Sequence, residues 1–278
     1  LIMKLKIIPL IAICFFGILN SQQKRTIGKI ERLLPEINDF VAPGAKIEVL
    51  AEGFGWSEGP VWVDRLDALL FSDVPGNKIY QWDKKNGLSI FLSPSGYTGI
   101  APRGNKGSKN AMNRDESGSN GLILDKNGRL IICMHGDRRV ASLDDWVKKG
   151  FTTIAGKYQG KYFNSPNDLV YAKNGDLYFT DPPYGLKKGD EDLLKELPFN
   201  GVFKITHSGE LSLIINDLTR PNGVAISNDQ KTLYVAISDP KDRRIMAYDI
   251  TPNGVENARV FFDDDGLGKE NRGNFDGL

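Results

Sequence analysis

Four side chains with oxygen atoms recur at the same place in the first, third, fourth and fifth repeats of this sequence. Each stands at the entry of a strand-like alternation of apolar residues, and the repeats follow one another about every 50 to 60 residues. The four are Glu58, Asn167, Asn222 and Asp276. They offer two carboxylates and two amide oxygens, a mixed-charge oxygen set that Ca²⁺ accepts, while other divalent cations remain open. Because the set holds no His or Cys, it does not favour a tight zinc site.

The elements that must position these residues are short strands joined by turns. After Asn167, an alternating strand leads to the turn Asn174-Gly175 and a second alternating strand, and the same order follows Asn120 and Asn222. One four-stranded sheet per repeat is typical of a β-propeller, whose radial order brings equivalent residues to one axis. We therefore predict an all-β propeller with an axial cation. Turn chemistry is the alternative explanation, since Asn and Asp beside Gly are common turn residues.

The predicted blades have definite bounds. The first runs from Glu58 to about Leu92, the second from Asn120 to about Ala155, the third starts at Asn167, and the fourth runs from Asn222 to about Phe262. Residues 93–117 interrupt the blades as a loop that is either near the ligand mouth or disordered. Residues 186–199 form a second insertion, in which 191–197 are predicted to form an amphipathic helix. That helix either covers the site as a lid or is a surface helix without a functional role.

Composition limits the partners. The chain has 278 residues, 36 Lys and Arg against 35 Asp and Glu, and 40% hydrophobic residues. A near-neutral charge without a basic run excludes nucleic acid and an anionic membrane surface as expected partners, and it favours a small, mostly neutral ligand. Oligomeric state is not predicted.

The first 23 residues have the features of a secretory signal. Lys4 and Lys6 precede an apolar run at 7–19, and a short polar segment follows. We expect a periplasmic or secreted protein with no membrane association after signal removal, and a propeller domain at 24–278. Removal of Cys14 with the signal leaves Cys133 alone, so no intramolecular disulfide is expected; Cys133 is predicted to be a small buried strand residue.

A serine-hydrolase motif must also be weighed. Gly55-Trp56-Ser57-Glu58-Gly59 satisfies the G-x-S-x-G pattern. That motif requires a helix after the serine, whereas Pro60 and an alternating strand pattern follow here. The sequence therefore argues against a Ser-His-Asp triad.

Five motifs resemble those of the SMP-30/gluconolactonase/luciferin-regenerating-enzyme family, in its gluconolactonase branch, from about residue 50 to the end. The motifs are Glu58-Gly59-Pro60-Val61-Trp62, Ser165-Pro166-Asn167-Asp168-Leu169, Thr180-Asp181-Pro182-Pro183-Tyr184-Gly185, Arg220-Pro221-Asn222-Gly223-Val224 and Asn274-Phe275-Asp276-Gly277. The resemblance implies a six-bladed β-propeller, here truncated after about four blades. It also implies an axial divalent cation, usually calcium, and lactone hydrolysis.

Carried over position by position, the resemblance assigns the metal to Glu58, Asn167, Asn222 and Asp276. It gives Asp276 the further role of acid-base group or nucleophile, and it places Asn120 and His135 near the substrate. One position departs from the family: where animal members carry an Arg that contacts sugar, this chain has Ser165. Animal-type substrate recognition is therefore not expected.

The leading functional prediction is an exported calcium-dependent hydrolase of a sugar lactone, with Asp276 activating water or attacking the lactone. Two alternatives remain open at this point. One is a propeller that only binds a ligand or protein and uses calcium as a structural ion, and the other is a propeller phosphotriesterase. Lactone turnover with and without a chelator separates the first alternative from the leading prediction.

Overall fold

The structure is a computed structural model that describes residues 25–102, 117–266 and 273–278. The predicted signal segment lies outside these residues. Contacts divide the chain into two compact units, with the boundary between Glu52 and Gly53. Within the described ranges, no helix is long and apolar enough to cross a membrane.

The first unit contains little regular structure. Its two short strands, β1 (Thr26–Ile27) and β2 (Ile47–Glu48), pair antiparallel, and a 3₁₀ helix spans Pro35–Asp39. The guanidinium of Arg32 donates to the carbonyl oxygens of Val41 and Ala42 at 2.9 and 2.7 Å. These bonds fold the segment between the two strands back on itself.

The second unit contains four antiparallel sheets, each of four strands that lie side by side in chain order. Blade 1 consists of β3 (Ser57–Val63), β4 (Ala68–Asp73), β5 (Lys78–Asp83) and β6 (Gly87–Leu92). Blade 2 consists of β7 (Ser119–Leu124), β8 (Leu130–Met134), β9 (Arg139–Leu143) and β10 (Phe151–Ala155). A small hairpin of β11 (Lys157–Tyr158) and β12 (Lys161–Tyr162) follows.

The other two blades have the same order. Blade 3 consists of β13 (Leu169–Tyr171), β14 (Leu177–Asp181), β15 (Asn200–Ile205) and β16 (Leu211–Leu218). Blade 4 consists of β17 (Pro221–Ile226), β18 (Thr232–Asp239), β19 (Asp242–Thr251) and β20 (Gly254–Asp263). A 3₁₀ turn at Asp64–Leu66 joins β3 to β4.

The first strands of the four blades are neighbours. Strand β7 contacts both β3 and β13, and β17 contacts β13. This radial order, with the first strand of each sheet innermost, is that of a β-propeller. The predicted all-β propeller is therefore confirmed, and the predicted blade limits agree with the observed strands within a few residues.

The core lies between blades, because each middle strand alternates its side chains between two neighbours. On β8, Ile131 and Cys133 pack toward blade 3, whereas Ile132 and Met134 pack toward blade 1. Tyr178 on β14 joins the third cluster, between blades 3 and 4. The expectation that Cys133 is a buried strand residue is confirmed, since its exposed fraction is 0%.

The helix predicted at 191–197 is wrong. Only a 3₁₀ turn at Gly189–Glu191 forms, and Asp192 has extended backbone angles. The Asp192 carboxylate accepts the N–H groups of Lys188 and Leu194, both at 2.9 Å, so it satisfies donors that a helix would have used. Pro198 further disfavours helical geometry at the residue before it. Leu193, in the middle of this segment, is 96% exposed.

Candidate metal and active site

The entry residues of blades 1, 2 and 3 are brought together by direct contacts between glycines and backbone. A Cβ atom added to Gly59 would lie 2.4 Å from the carbonyl oxygen of Asn120. Gly121 donates its N–H to the carbonyl oxygen of Asn167 at 2.7 Å, and an added Cβ would lie 2.7 Å from the same oxygen. Because these approaches leave no room for a side chain, each glycine sets the spacing to the next blade.

Blade 4 and the end of the chain continue the same row. The hydroxyl of Thr180 in blade 3 donates to the carbonyl oxygen of Asn222 at 2.6 Å. Gly223 then donates its N–H to the carbonyl oxygen of Asp276 at 3.1 Å. The polar entry residues therefore follow one another around one end of the innermost strands, as the repeat spacing predicts.

Strand pairing is irregular at the same places. The register shifts close to the polar entry residue in three of the blades. The shift lies between Glu58 and Val61 where β3 pairs with β4, between Ser119 and Leu122 where β7 pairs with β8, and between Pro221 and Val224 where β17 pairs with β18. Register shifts of this kind redirect side chains and often lie next to active sites. Simple alternation along the strand therefore does not determine where these side chains point.

The candidate ligands differ in burial. Asn167 and Asn222 are buried, at 4% and 6% exposed, whereas Glu58 is partly exposed and Asp276 is exposed. The donor set contains only carboxylate and amide oxygens, which suits a hard cation such as Ca²⁺. The described ranges contain no group of three or more His, Cys, Asp or Glu side chains that could hold a metal ion. The candidate set has only two carboxylates beside two amides, so it does not belong to that kind of group.

The segment before Asn167 is held by a buried carboxylate. Asp181, at the end of β14, accepts the N–H groups of Asn164 and Ser165 at 2.8 and 2.7 Å. Burial raises the pKa of Asp181 to about 7, although the two N–H groups and the positive charges of Arg138 and Lys195 act in the opposite direction. The sequence showed Asp181 within a family motif but gave no sign of this role.

Asp168 is a second carboxylate that sequence reasoning did not assign. Its Oδ2 accepts the N–H of Val224 at 3.0 Å, which ties blade 3 to blade 4 beside Gly223. Burial raises the pKa of Asp168 to about 6 against the effect of N–H groups from Val224 and Leu169, and the negative charge of Asp276 raises it further. Two carboxylates therefore lie near each other here, where a cation would relieve their repulsion.

Asn120 and His135 lie at the same end of blade 2. Ser119, next to Asn120, pairs with Met134, next to His135. Both side chains are buried, at 6% and 1% exposed. Their proximity follows from the antiparallel register, whereas their contact with substrate stays a prediction.

The first insertion also reaches this end of the propeller. The Oδ1 atom of Asn77 accepts the N–H groups of Ser95, Gly96 and Tyr97 at 3.0, 2.8 and 3.1 Å. A Cβ added to Gly136, the neighbour of His135, would lie 2.5 Å from Cβ of Tyr97. Tyr97 thus packs against the backbone next to His135, a contact that sequence reasoning missed, while the position of this loop near a ligand mouth stays a prediction.

The serine-hydrolase alternative does not fit the fold. Ser57 is the first residue of β3, and strand rather than helix follows it. Of the two histidines, His135 is buried at the inner end of blade 2, whereas His207 lies on a hairpin, with 71% of its side chain exposed, beside Asp176. The strand–serine–helix geometry of a nucleophile elbow is absent at this motif.

Known proteins share both the fold and the sequence pattern. Residues 56–278 match the SMP-30/Gluconolactonase/LRE-like region. The gluconolactonase of Zymomonas mobilis is 41% identical over 241 residues, which cover 87% of this chain and 65% of that protein. A candidate gluconolactonase of known structure superposes with a TM-score of 0.71 at 33% identity, covering 88% of this chain and 74% of that one. The structure of the gluconolactonase of Xanthomonas campestris superposes with a TM-score of 0.67 at 27% sequence identity. The match covers 87% of this chain and 72% of that one.

Fold and sequence together define a β-propeller with a row of oxygen-bearing side chains at the inner ends of its blades. The chain belongs to the SMP-30/gluconolactonase/LRE-like family. It spans slightly less than two thirds of the length of the Zymomonas mobilis relative that it matches.

Proposed function

We propose that this protein hydrolyses a sugar lactone to the open-chain acid and depends on a bound Ca²⁺ for that activity. The observation that supports the proposal is the row of backbone contacts from Gly59 to Asp276, which follows one end of the innermost strands and passes next to the four candidate ligands. The identity of 41% with a gluconolactonase, over 87% of this chain, supplies the reaction type.

Glu58, Asn167, Asn222 and Asp276 would hold the cation. The buried amides of Asn167 and Asn222 suit neutral oxygen ligands, and the more open carboxylates of Glu58 and Asp276 bring the compensating charge. A bound Ca²⁺ supplies Lewis-acid stabilisation of the negative charge that develops on the lactone carbonyl oxygen.

Asp276 would perform the proton transfer. Its carboxylate accepts a proton from water while the water oxygen bonds to the carbonyl carbon; the ring C–O bond then breaks and the ring oxygen takes the proton. Direct attack by the Asp276 carboxylate is the alternative route to the same product.

Asn120 and His135 would orient the substrate from blade 2, and Tyr97 would line the adjacent wall. Ser165 does not take part in recognition of the animal type. It is fully buried, its hydroxyl donates to the carbonyl oxygen of Pro182 at 2.6 Å, and it accepts the N–H of Gly185 at 2.8 Å.

Export to the periplasm or the medium is part of the proposal and depends on the signal-like residues 1–23. Fusion of those residues to a reporter that is active only after export tests it.

Enzyme assays test the activity. Hydrolysis of gluconolactone, followed by acid release, should require divalent cation, stop with a chelator and return when Ca²⁺ is added. A phosphotriester assayed in parallel tests specificity. Calcium binding without lactone turnover would contradict the enzymatic proposal and leave a non-catalytic propeller.

A further inference from the structure

A short loop of blade 3 connects the two candidate amide ligands. The loop comprises residues 182–185, after β14. At one end, Ser165, two residues before Asn167, bonds to Pro182 and Gly185 of this loop. The loop's backbone is packed closely there, since a Cβ added to Gly185 would lie 2.6 Å from Cβ of Ser165.

At its other end the loop reaches blade 4 through Tyr184. The hydroxyl of Tyr184 makes a short hydrogen bond with the hydroxyl of Ser238 on β18. The same Oγ of Ser238 accepts the side-chain N–H of Asn222 at 3.2 Å. Ser238 is itself fixed, because its backbone N–H donates to the carbonyl oxygen of Arg220 at 3.1 Å and its side chain is buried.

The hydrogen count at Ser238 bears on how the Asn222 amide is oriented, since either hydroxyl of the Tyr184–Ser238 pair can be the donor. A serine hydroxyl has one hydrogen to donate and two lone pairs to accept with. When that hydrogen goes to the Tyr184 oxygen, Ser238 can only accept from Asn222, and only the NH₂ end of the amide can donate. The opposite end, the carbonyl oxygen, is then the end available to a cation.

We propose that Ser238 donates its hydrogen to the Tyr184 oxygen, and that these two are positioning residues that hold the Asn222 amide with its oxygen toward the cation. This inference rests on the calcium site of the proposed function. Tyr184 acts through Ser238: with phenylalanine at 184, the Ser238 hydrogen becomes free to donate to Asn222, and the amide is no longer held in one orientation. Ser165 anchors the same loop at its other end.

Calcium titration by calorimetry tests the inference without reference to activity. Ser238→Ala and Tyr184→Phe should each weaken Ca²⁺ binding by about 10-fold, the scale seen when partners of metal ligands are removed. Ser238→Thr, which keeps a hydroxyl, should restore binding. The decisive variant is the double substitution, which should bind Ca²⁺ no more weakly than Ser238→Ala alone, because the proposed effect of Tyr184 on Asn222 passes through Ser238.

Two matched controls each remove a buried hydroxyl that takes no part in the hydrogen bonds between Tyr184, Ser238 and Asn222. They are Ser142→Ala on β9 and Tyr178→Phe on β14. Both should bind Ca²⁺ like the parent protein. Parental affinity in Ser238→Ala and Tyr184→Phe, or additive losses in the double variant, would overturn the inference while leaving the calcium site intact. A parent protein that binds no Ca²⁺ would overturn the proposed calcium site and the inference with it.

Discussion

Gly223 donates its backbone N–H to the carbonyl oxygen of Asp276 at 3.1 Å, and this bond places the candidate catalytic carboxylate beside the candidate ligand Asn222. A Cβ atom at Gly223 would lie 2.3 Å from the same oxygen. Because the obstacle is backbone rather than a flexible side chain, the two segments must separate if residue 223 carries a side chain.

The substitution Gly223→Ala should therefore displace Asp276. We expect a loss of stability of about 1 to 3 kcal/mol together with weaker Ca²⁺ binding. Gly266→Ala is the control, since no atom of the described residues lies within 4 Å of a Cβ added there. Thermal melts with and without Ca²⁺ measure both effects. Equal melting temperatures and equal calcium shifts in the two variants would show that the close approach does not matter.

Asp276→Asn should separate chemistry from metal binding. The amide keeps the shape and one oxygen ligand but cannot accept the proton from water, so lactone kcat should fall by about 10²-fold or more. Ca²⁺ affinity should fall less than kcat. Asp145→Asn, on a loop of blade 2, is the control and should keep the parental kcat. Near-parental turnover by Asp276→Asn with calcium bound would remove Asp276 from the mechanism.

Asn222→Ala removes one amide oxygen from the proposed site. Both Ca²⁺ affinity and lactone turnover should fall, with affinity lower by about 10-fold or more. Asn127→Ala, on the turn between β7 and β8, removes an amide far from the inner strand ends and should change neither quantity. An unchanged calcium titration in Asn222→Ala would contradict the ligand assignment.

Asp181 should make folding stability depend on pH. Its pKa is about 7 in the folded chain and near 3.8 in an unfolded one, so between these values the folded state binds more protons than the unfolded state. The free energy of unfolding should then fall as pH rises from about 4 to about 7. Asp181→Asn, which does not titrate, should show a flatter dependence in urea melts across that range. If the free energy of unfolding had the same pH dependence in the parent protein and in Asp181→Asn, Asp181 would not be the group responsible.

Cys133 should be unreactive in the folded protein. Burial, together with the negative charges of Asp168 and Asp181, holds the pKa of its thiol well above the usual range, so little reactive thiolate forms near neutral pH. In a Cys14→Ser variant, where Cys133 is the remaining cysteine, a thiol reagent should react slowly before and rapidly after unfolding in urea. Fast reaction of the native protein would contradict the burial.

The local pattern of the sequence determined the blades. Alternation of apolar residues, Asn-Gly turns and the recurrence of a polar residue at each strand entry depend on neighbours in the chain, and all four blades formed where these signals placed them. The amphipathic spacing at 191–197 was the exception. There the Asp192 carboxylate and Pro198 compete with a helix, and such side-chain competition is not visible in a hydrophobic pattern.

The tertiary structure alone decided how the candidate ligands face one another. The register shifts at Glu58, Asn120 and Asn222 interrupt the alternation from which their direction would have been inferred. Asp181, Asp168 and the Tyr184–Ser238 pair act across blades, between residues far apart in sequence. Such contacts depend on how closely two sheets pack. The number of residues between two positions in the sequence carries no information about the distance between the sheets.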